Sequence, residues 1–219
     1  ALGPQEEAER ARVGWFLGSV LLEFGEAAAG ERLVEEALEV LHSRGDRWGT
    51  AAALNARAWI SRARGRLERF ESDARSALAL FRELGDRWGQ LQTMSALSQR
   101  AKAVGDYTEA FRVDRTGLRI AEGLGLWTEV SYRLSELGRI SLLSGDHDAA
   151  EEFHRQAADL AREQGDRFGE RFAELGLAMG DRRAGRLDRA AERLAAMTMS
   201  GTRSASTRSM SSVWYSAPR

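Results

Sequence analysis

Cysteine is absent from the 219 residues, and proline occurs only at Pro4 and Pro218. Without thiols the chain has no disulfide, no thiolate metal site and no cysteine nucleophile. The whole sequence is 43% hydrophobic and 30% charged, and the proline-free run between those two positions is rich in Ala, Leu, Glu and Arg. Such a composition favours helices and leaves almost no room for a strand-rich fold. An excess of charge of one sign is also missing: 32 Lys plus Arg stand against 33 Asp plus Glu, a net of −1. Nothing in that balance pulls the molecule toward nucleic acid or an anionic membrane. No stretch reaches the ~18 apolar residues of a membrane helix, and no basic segment followed by an apolar one opens the chain. The expectation is a soluble, cytoplasmic protein, and Ala1 in place of Met suggests a processed chain or a fragment. Lysine is nearly missing too, since Lys102 is the only one. The basic charge is therefore almost all guanidinium, the group suited to bidentate contacts with carboxylates.

What is present is a repeat. Gly45-Asp46-Arg47-Trp48-Gly49, Gly85-Asp86-Arg87-Trp88-Gly89 and Gly165-Asp166-Arg167-Phe168-Gly169 are one motif at a spacing of 40 or a multiple of it, and Gly125-Leu126-Trp127 fills the missing slot. A second series, Gly25, Gly65, Gly105, Gly145 and Gly185, falls midway, so nine glycines lie on a 20-residue grid. Between them apolar residues recur at three- and four-residue steps, as in Leu91, Met94, Leu97 and Ala101, which is the helical period. Gly can take the left-handed conformation that ends a helix, and a following Asp can cap the next. The grid therefore predicts ten helices in five pairs. A helices are expected near 5–23, 47–63, 87–103, 127–143 and 167–183, and B helices near 27–43, 67–83, 107–123, 147–163 and 187–196.

Within a pair the pattern resembles the tetratricopeptide repeat. Leu97-Ser98, Gly105-Asp106-Tyr107, Ala110 and Ala121 carry the likeness, and Leu137-Gly138, Gly145-Asp146 and Ala150 repeat it, as do Leu17-Gly18, Gly25 and Gly30. The 40-residue period is longer than usual for that family. It is similar to the subgroup in large bacterial signal-dependent transcription activators and in LGN/Pins adaptors. The resemblance implies an all-α fold, a right-handed α-α superhelix of about five helix pairs over residues 1–197, followed by a Ser/Thr/Arg-rich tail at 198–219. Small residues at Gly30, Ala110, Ala150 and Ala190 would let neighbouring helices approach closely. Trp48, Trp88 and Trp127, at helix-A starts, are expected to wedge the contacts between repeats. Three departures stand out: Arg57 replaces the helix-A Leu, Phe70 replaces the helix-B Ala and the last helix is expected to stop early, and repeat 2 is expected to pack less regularly.

Catalytic constellations are wanting. His147, Glu151 and His154 share a helix face by spacing, but His147 stands in the turn slot and His154 in a packing slot, which favours structure over a metal. Glu35-Glu36 and Glu151-Glu152 are sequence neighbours that diverge on a helix, and no Gly-Lys-Ser/Thr step marks a phosphate loop. The expectation is a non-enzyme without cofactor or metal.

The informative surface is instead the concave wall of A helices. The resemblance places groove-facing residues three, six, ten and thirteen before each turn glycine. That gives Arg12, Trp15, Ser19 and Leu22; Ala52, Asn55, Trp59 and Arg62; Gln92, Ser95, Gln99 and Lys102; Tyr132, Ser135, Arg139 and Leu142; and Phe172, Leu175, Met179 and Arg182. Five of the twenty are basic and none is acidic, where about three acids are expected from random patterning. Acids gather on the B helices: Glu31, Glu35, Glu36, Glu39, Glu68, Glu71, Asp146, Asp148 and Glu152. The expected function is protein–protein interaction in a larger bacterial regulatory polypeptide, with an extended or helical, acidic or carboxylate-ended partner segment on Trp15, Asn55, Trp59, Arg62, Gln92, Gln99, Lys102, Tyr132, Arg139 and Arg182. The alternative is a sensor for a small ligand such as an oligosaccharide in the same groove. Direct nucleic-acid binding and a membrane role are not expected. The tail, with Arg203, Arg208, Arg219, Trp214 and Tyr215, is expected to seek the acidic B-helix side, its own or that of a second molecule.

Overall fold

The computed structural model describes residues 4–199, which form ten helices joined by tight turns. They are α1 (Pro4–Glu23), α2 (Ala27–Ser43), α3 (Arg47–Ala63), α4 (Leu67–Glu83), α5 (Arg87–Ala103), α6 (Tyr107–Leu124), α7 (Trp127–Ser144), α8 (His147–Glu163), α9 (Arg167–Arg183) and α10 (Leu187–Met199). No strand occurs among the described residues, and the fold class is the all-α helix-pair repeat. The expectations for the tail lie outside the described residues. The chain divides into two compact units at Leu126/Trp127, one built of α1–α6 and the other of α7–α10.

The grid glycines make the turns. All nine have positive φ, from 67° at Gly125 and Gly165 to 85° at Gly145, and no other described residue does. At the α2–α3 turn the amide of Asp46 donates to the Leu41 carbonyl at 2.9 Å, closing the helix in the manner that requires a left-handed residue at Gly45. The Asp of the motif then caps the next helix. Asp46 accepts from the Gly49 amide at 2.9 Å, Asp86 from Gly89 at 2.9 Å and Asp106 from Glu109 at 3.0 Å. Burial raises the Asp46 carboxyl, but the Gly49 amide and the Arg12 guanidinium outweigh it and hold the group below the usual aspartate range. Asp86 also accepts from Nε1 of Trp48 at 2.7 Å, tying the start of α3 to the start of α5. Loss of an Asp cap costs about 1 kcal/mol. Asp86→Ala should therefore lower unfolding free energy by that amount or more, and by more than Asp106→Ala, whose aspartate only caps; urea titration of the two variants checks the order.

In the first unit α1 and α2 meet backbone to backbone. A Cβ on Gly18 would lie 2.7 Å from the Gly30 carbonyl oxygen, and one on Gly30 2.5 Å from that of Gly18. Below this contact Val34, Ala37, Leu41, Ala51, Ala53, Ala56, Ile60, Ala77 and Phe81 form one buried cluster. The departures of repeat 2 compensate each other. Arg57 donates through Nε and Nη2 to both oxygens of Asp73 on α4, at 2.8 and 2.7 Å, and that bidentate bond raises its pKa against the opposing effect of burial. Phe70 is 1% exposed and packs on Trp59 with ring centroids 5.8 Å apart. The packing expected to loosen here is closed by a partly buried ion pair and an aromatic pair.

The second unit is pinned by polar side chains inside it. His154 is 1% exposed and occupies the space that side chains at Gly138 and Gly176 would need, three of its ring atoms lying within 2.9 Å of where each of those Cβ atoms would stand. Asp181, 2% exposed, accepts from Nε of Arg186 at 2.7 Å and Nε of Arg193 at 2.9 Å. Burial raises its pKa and the two guanidinium groups more than reverse that.

Candidate functional site

In the first unit α1 contacts α3 and α3 contacts α5, and in the second α7 contacts α9. Each unit thus has its own A-helix face, and the groove positions divide between them.

On the first face the structure removes two residues from the expected contact set. Trp15 is 8% and Asn55 2% exposed, so both side chains belong to the core. The reason is α3 itself, in which Ala51, Ala52, Ala53, Ala56 and Ala58 let the neighbouring helices close over it. Trp59 remains half-exposed, with the Arg62 guanidinium 5.6 Å from its ring centroid, a cation–π arrangement. Gln92, Gln99 and Lys102 on α5 are half-buried. Gln99 and Lys102 repeat the positions of Trp59 and Arg62 forty residues on, so the face presents an aromatic, an amide and two cations.

The second face is more aromatic. Tyr132 and Phe172 stack with centroids 5.5 Å apart and planes inclined by 18°. Phe168 continues the stack at 6.4 Å and 7°. The Arg139 guanidinium lies 5.2 Å from the Phe172 centroid, and Arg182 is exposed. Leu175 is 37% and Phe168 61% exposed. Phe168 was missed as a surface residue because the sequence places it in the turn motif beside Trp48 and Trp88; its signal is the exchange of Trp for Phe at that slot.

The Trp slots differ in burial. Trp48 is 39% exposed and Trp127 47%, while the Trp48 ring lies edge-on to Trp15 at 6.1 Å and to Phe81 at 6.3 Å. Trp48 therefore does bridge repeats, as a half-open lid over the core. The B-helix acids also need correction as a bare acidic wall. Glu31 is 8% exposed and is met by Arg66 Nη2 at 2.9 Å, Arg64 at 3.2 Å and Arg69 at 3.6 Å. The Arg66 bond holds its carboxyl below the usual range despite burial. Arg69 reaches Glu35 at 2.7 Å and Arg100 reaches Glu71 at 3.0 Å. Stacking brings the arginines of one helix onto the acids of its neighbour, which sequence spacing alone does not reveal.

The His147, Glu151, His154 spacing does not make a metal centre: His147 is exposed, His154 is turned into the core, and no metal-binding group of three such residues occurs among the described residues. No helix of the described residues is long and apolar enough to cross a membrane.

No protein-family model and no curated protein matches the sequence. Solved structures do match in fold. A Rap protein complexed with Competence and Sporulation Factor superposes with a TM-score of 0.77 at 17% identity, over 92% of this chain and 56% of that one. A signal-transduction ATPase with numerous domains and a tetratricopeptide-repeat sensor, from Pyrococcus horikoshii, gives 0.76 at 16% identity over 87% of this chain and 29% of that one. Nearly identical TPR-like repeats of a kinesin light chain from Podosopora anserina give 0.73 at 18% identity, over 90% and 99%. The neighbours are tetratricopeptide-like repeat proteins, and the chain has their fold; it spans little more than half of the first and under a third of the second.

Proposed function

We propose that the chain is a non-catalytic protein-interaction module whose A-helix faces hold an extended or helical segment of a partner. The observation that carries this is the second face, where Arg139 lies on the Phe172 ring within the Phe168–Phe172–Tyr132 stack. Aromatic rings beside guanidinium groups are the side chains that dominate binding energy at protein interfaces. A half-exposed Trp59 under Arg62 offers the same chemistry on the first face. Because the groove positions carry cations and no acid, the favoured segment is acidic or ends in a carboxylate, held by charge-assisted bonds. The tetratricopeptide-repeat sensor in one structural neighbour and the factor held by another support placing the module in a larger regulatory protein, of the kind found in bacterial transcription control.

The second reading, a sensor for an oligosaccharide or similar small ligand, is favoured by the same aromatic side chains, since sugar rings also pack on aromatics. A displayed peptide library and a glycan array, each probed with wild type, Trp59→Ala and Arg139→Ala, separate the two. The first reading expects peptides enriched in acids or C-terminal carboxylates, with affinity falling by about tenfold or more in either variant while helix content stays intact. Glycan binding without peptide binding would establish the sensor instead, and peptide binding indifferent to both substitutions would place the site elsewhere.

A further inference from the structure

Helix α1 is apolar on two sides. One side, Ala11, Gly14, Trp15 and Gly18, is turned into the molecule: Ala11 and Trp15 are buried in the core cluster and a Cβ at Gly14 or Gly18 would meet α2. The other carries Val13, Phe16, Leu17 and Phe24, which are 63%, 39%, 44% and 76% exposed, with Val20 half-buried among them. The repeat shows what covers this side elsewhere. Forty residues on, Val13, Phe16 and Val20 correspond to Ala53, Ala56 and Ile60, which are 0%, 4% and 0% exposed and share a core cluster with Ala37 and Leu41 of the preceding B helix. Eighty residues on they correspond to Thr93, Ala96 and Arg100; Thr93 and Ala96 are fully buried, and Ala96 packs with Phe70 and Ala74 of α4. The register on α1 is that of a face made to be covered by a B helix.

Charge identifies the cover. Three internal contacts between a B helix and the following A helix carry opposite charges. Arg57 on α3 feels Glu35 and Glu31 of α2, Arg100 on α5 meets Glu71 of α4 at 3.0 Å, and Arg162 on α8 meets Glu170 of α9 at 3.0 Å. On α1 the Arg57 and Arg100 positions are Leu17 and Val20. An ordinary B helix, with Glu at the position of Glu31, Glu71 and Glu151, would lay an unpaired carboxylate on that stripe, which is costly. Helix α6 has Phe111 there but Arg115 four residues on, and helix α10 alone among the B helices is uncharged at both positions. Ala191 stands at the Glu31 position and Ala195 at the Glu35 position, and the same sector holds Leu187 and Leu194, which are 63% and 44% exposed. Both faces carry apolar side chains where those internal contacts carry charges.

We propose that these faces are the two halves of a head-to-tail contact between copies of the chain, in which α10 of one copy lies on α1 of the next as α2 lies on α3. Such a contact uses two different patches, so it propagates from copy to copy unless it closes into a ring. Sedimentation velocity of the full chain, from about 1 to 200 µM, is the test. Wild type should gain mass with concentration beyond a dimer. Leu17→Glu and Leu194→Glu, both at exposed positions and so expected to keep wild-type helix content and melting, should each weaken association more than tenfold. Their equimolar mixture should recover a 1:1 dimer that grows no further, because each variant keeps the face the other has lost. A wild type that stays monomeric throughout, a mixture that fails to dimerise, or association that survives either substitution would overturn the proposal.

Discussion

Replacing Gly30 by valine should produce the largest loss of stability available from a single surface-remote substitution in the first unit. Helices α1 and α2 touch through their backbones at Gly18 and Gly30, and even the first carbon added at Gly30 would stand 2.5 Å from the Gly18 carbonyl oxygen. No side-chain rotation relieves a contact with main chain, so the helices must separate. Separation opens the packing of Val34, which is 0% exposed and lies against Gly18. Overpacking of a tight core costs ~1–3 kcal/mol, and the backbone nature of this contact puts it at or above the upper end. Denaturant titration should show a fall of about 3 kcal/mol or more for the α1–α6 unit, whereas Gly25→Ala, at a turn with nothing near its Cβ and φ of 83°, should cost only about 1 kcal/mol from backbone strain. Equal losses at the two positions would show that helix contact is not what Gly30 is for.

Acid should weaken the second unit through His154. Burial, helped by the positive charge of Arg139 and opposed by Glu136, lowers the imidazole from 6.5 to about 4. The folded state therefore binds a proton less readily than the unfolded chain, and between pH 6.5 and 4 the unfolded state carries the extra proton. Stability is complete above about 6.5 and declines as pH falls toward 4, which for a 2.5-unit displacement amounts to about 3 kcal/mol. Neither ring nitrogen has a hydrogen-bond partner within the protein, so no hydrogen bond in the core rewards the imidazolium. His154→Leu should keep the fold at pH 7 and flatten the pH dependence of unfolding over this interval. Thermal melts at half-unit pH steps read both slopes, and an unchanged slope in the variant would assign the acid response to another group. The neighbouring Gly138 and Gly176 leave room for no larger ring, which is why leucine is the appropriate replacement.

A residue's place in the period fixes its helix face, and its pairwise contacts fix its burial. Arg57 and Phe70 looked like flaws when each was compared with a repeat pattern, yet Arg57 meets Asp73 sixteen residues away and Phe70 meets Trp59. Asn55 has the right spacing from its turn glycine for an open wall and is 2% exposed, because exposure at that position depends on how closely an alanine-rich α3 lets its neighbours approach. Tyr132 and Phe172 occupy one repeat position forty residues apart, so their proximity was legible; that Phe168 extends the stack was not.

The sequence by itself determined the elements. Nine glycines on a 20-residue grid all adopt positive φ, and the helices between them begin and end within a few residues of where the grid puts them, because chain reversal is a local property of Gly and Asp. Burial and partnership were decided only in the tertiary structure. Which acids are neutralised, which aromatics stay open and which face of α1 is left uncovered depend on helices far apart in sequence coming together, and a side chain's hydrogen bonds and solvent exposure are set by those neighbours rather than by its own place in the period.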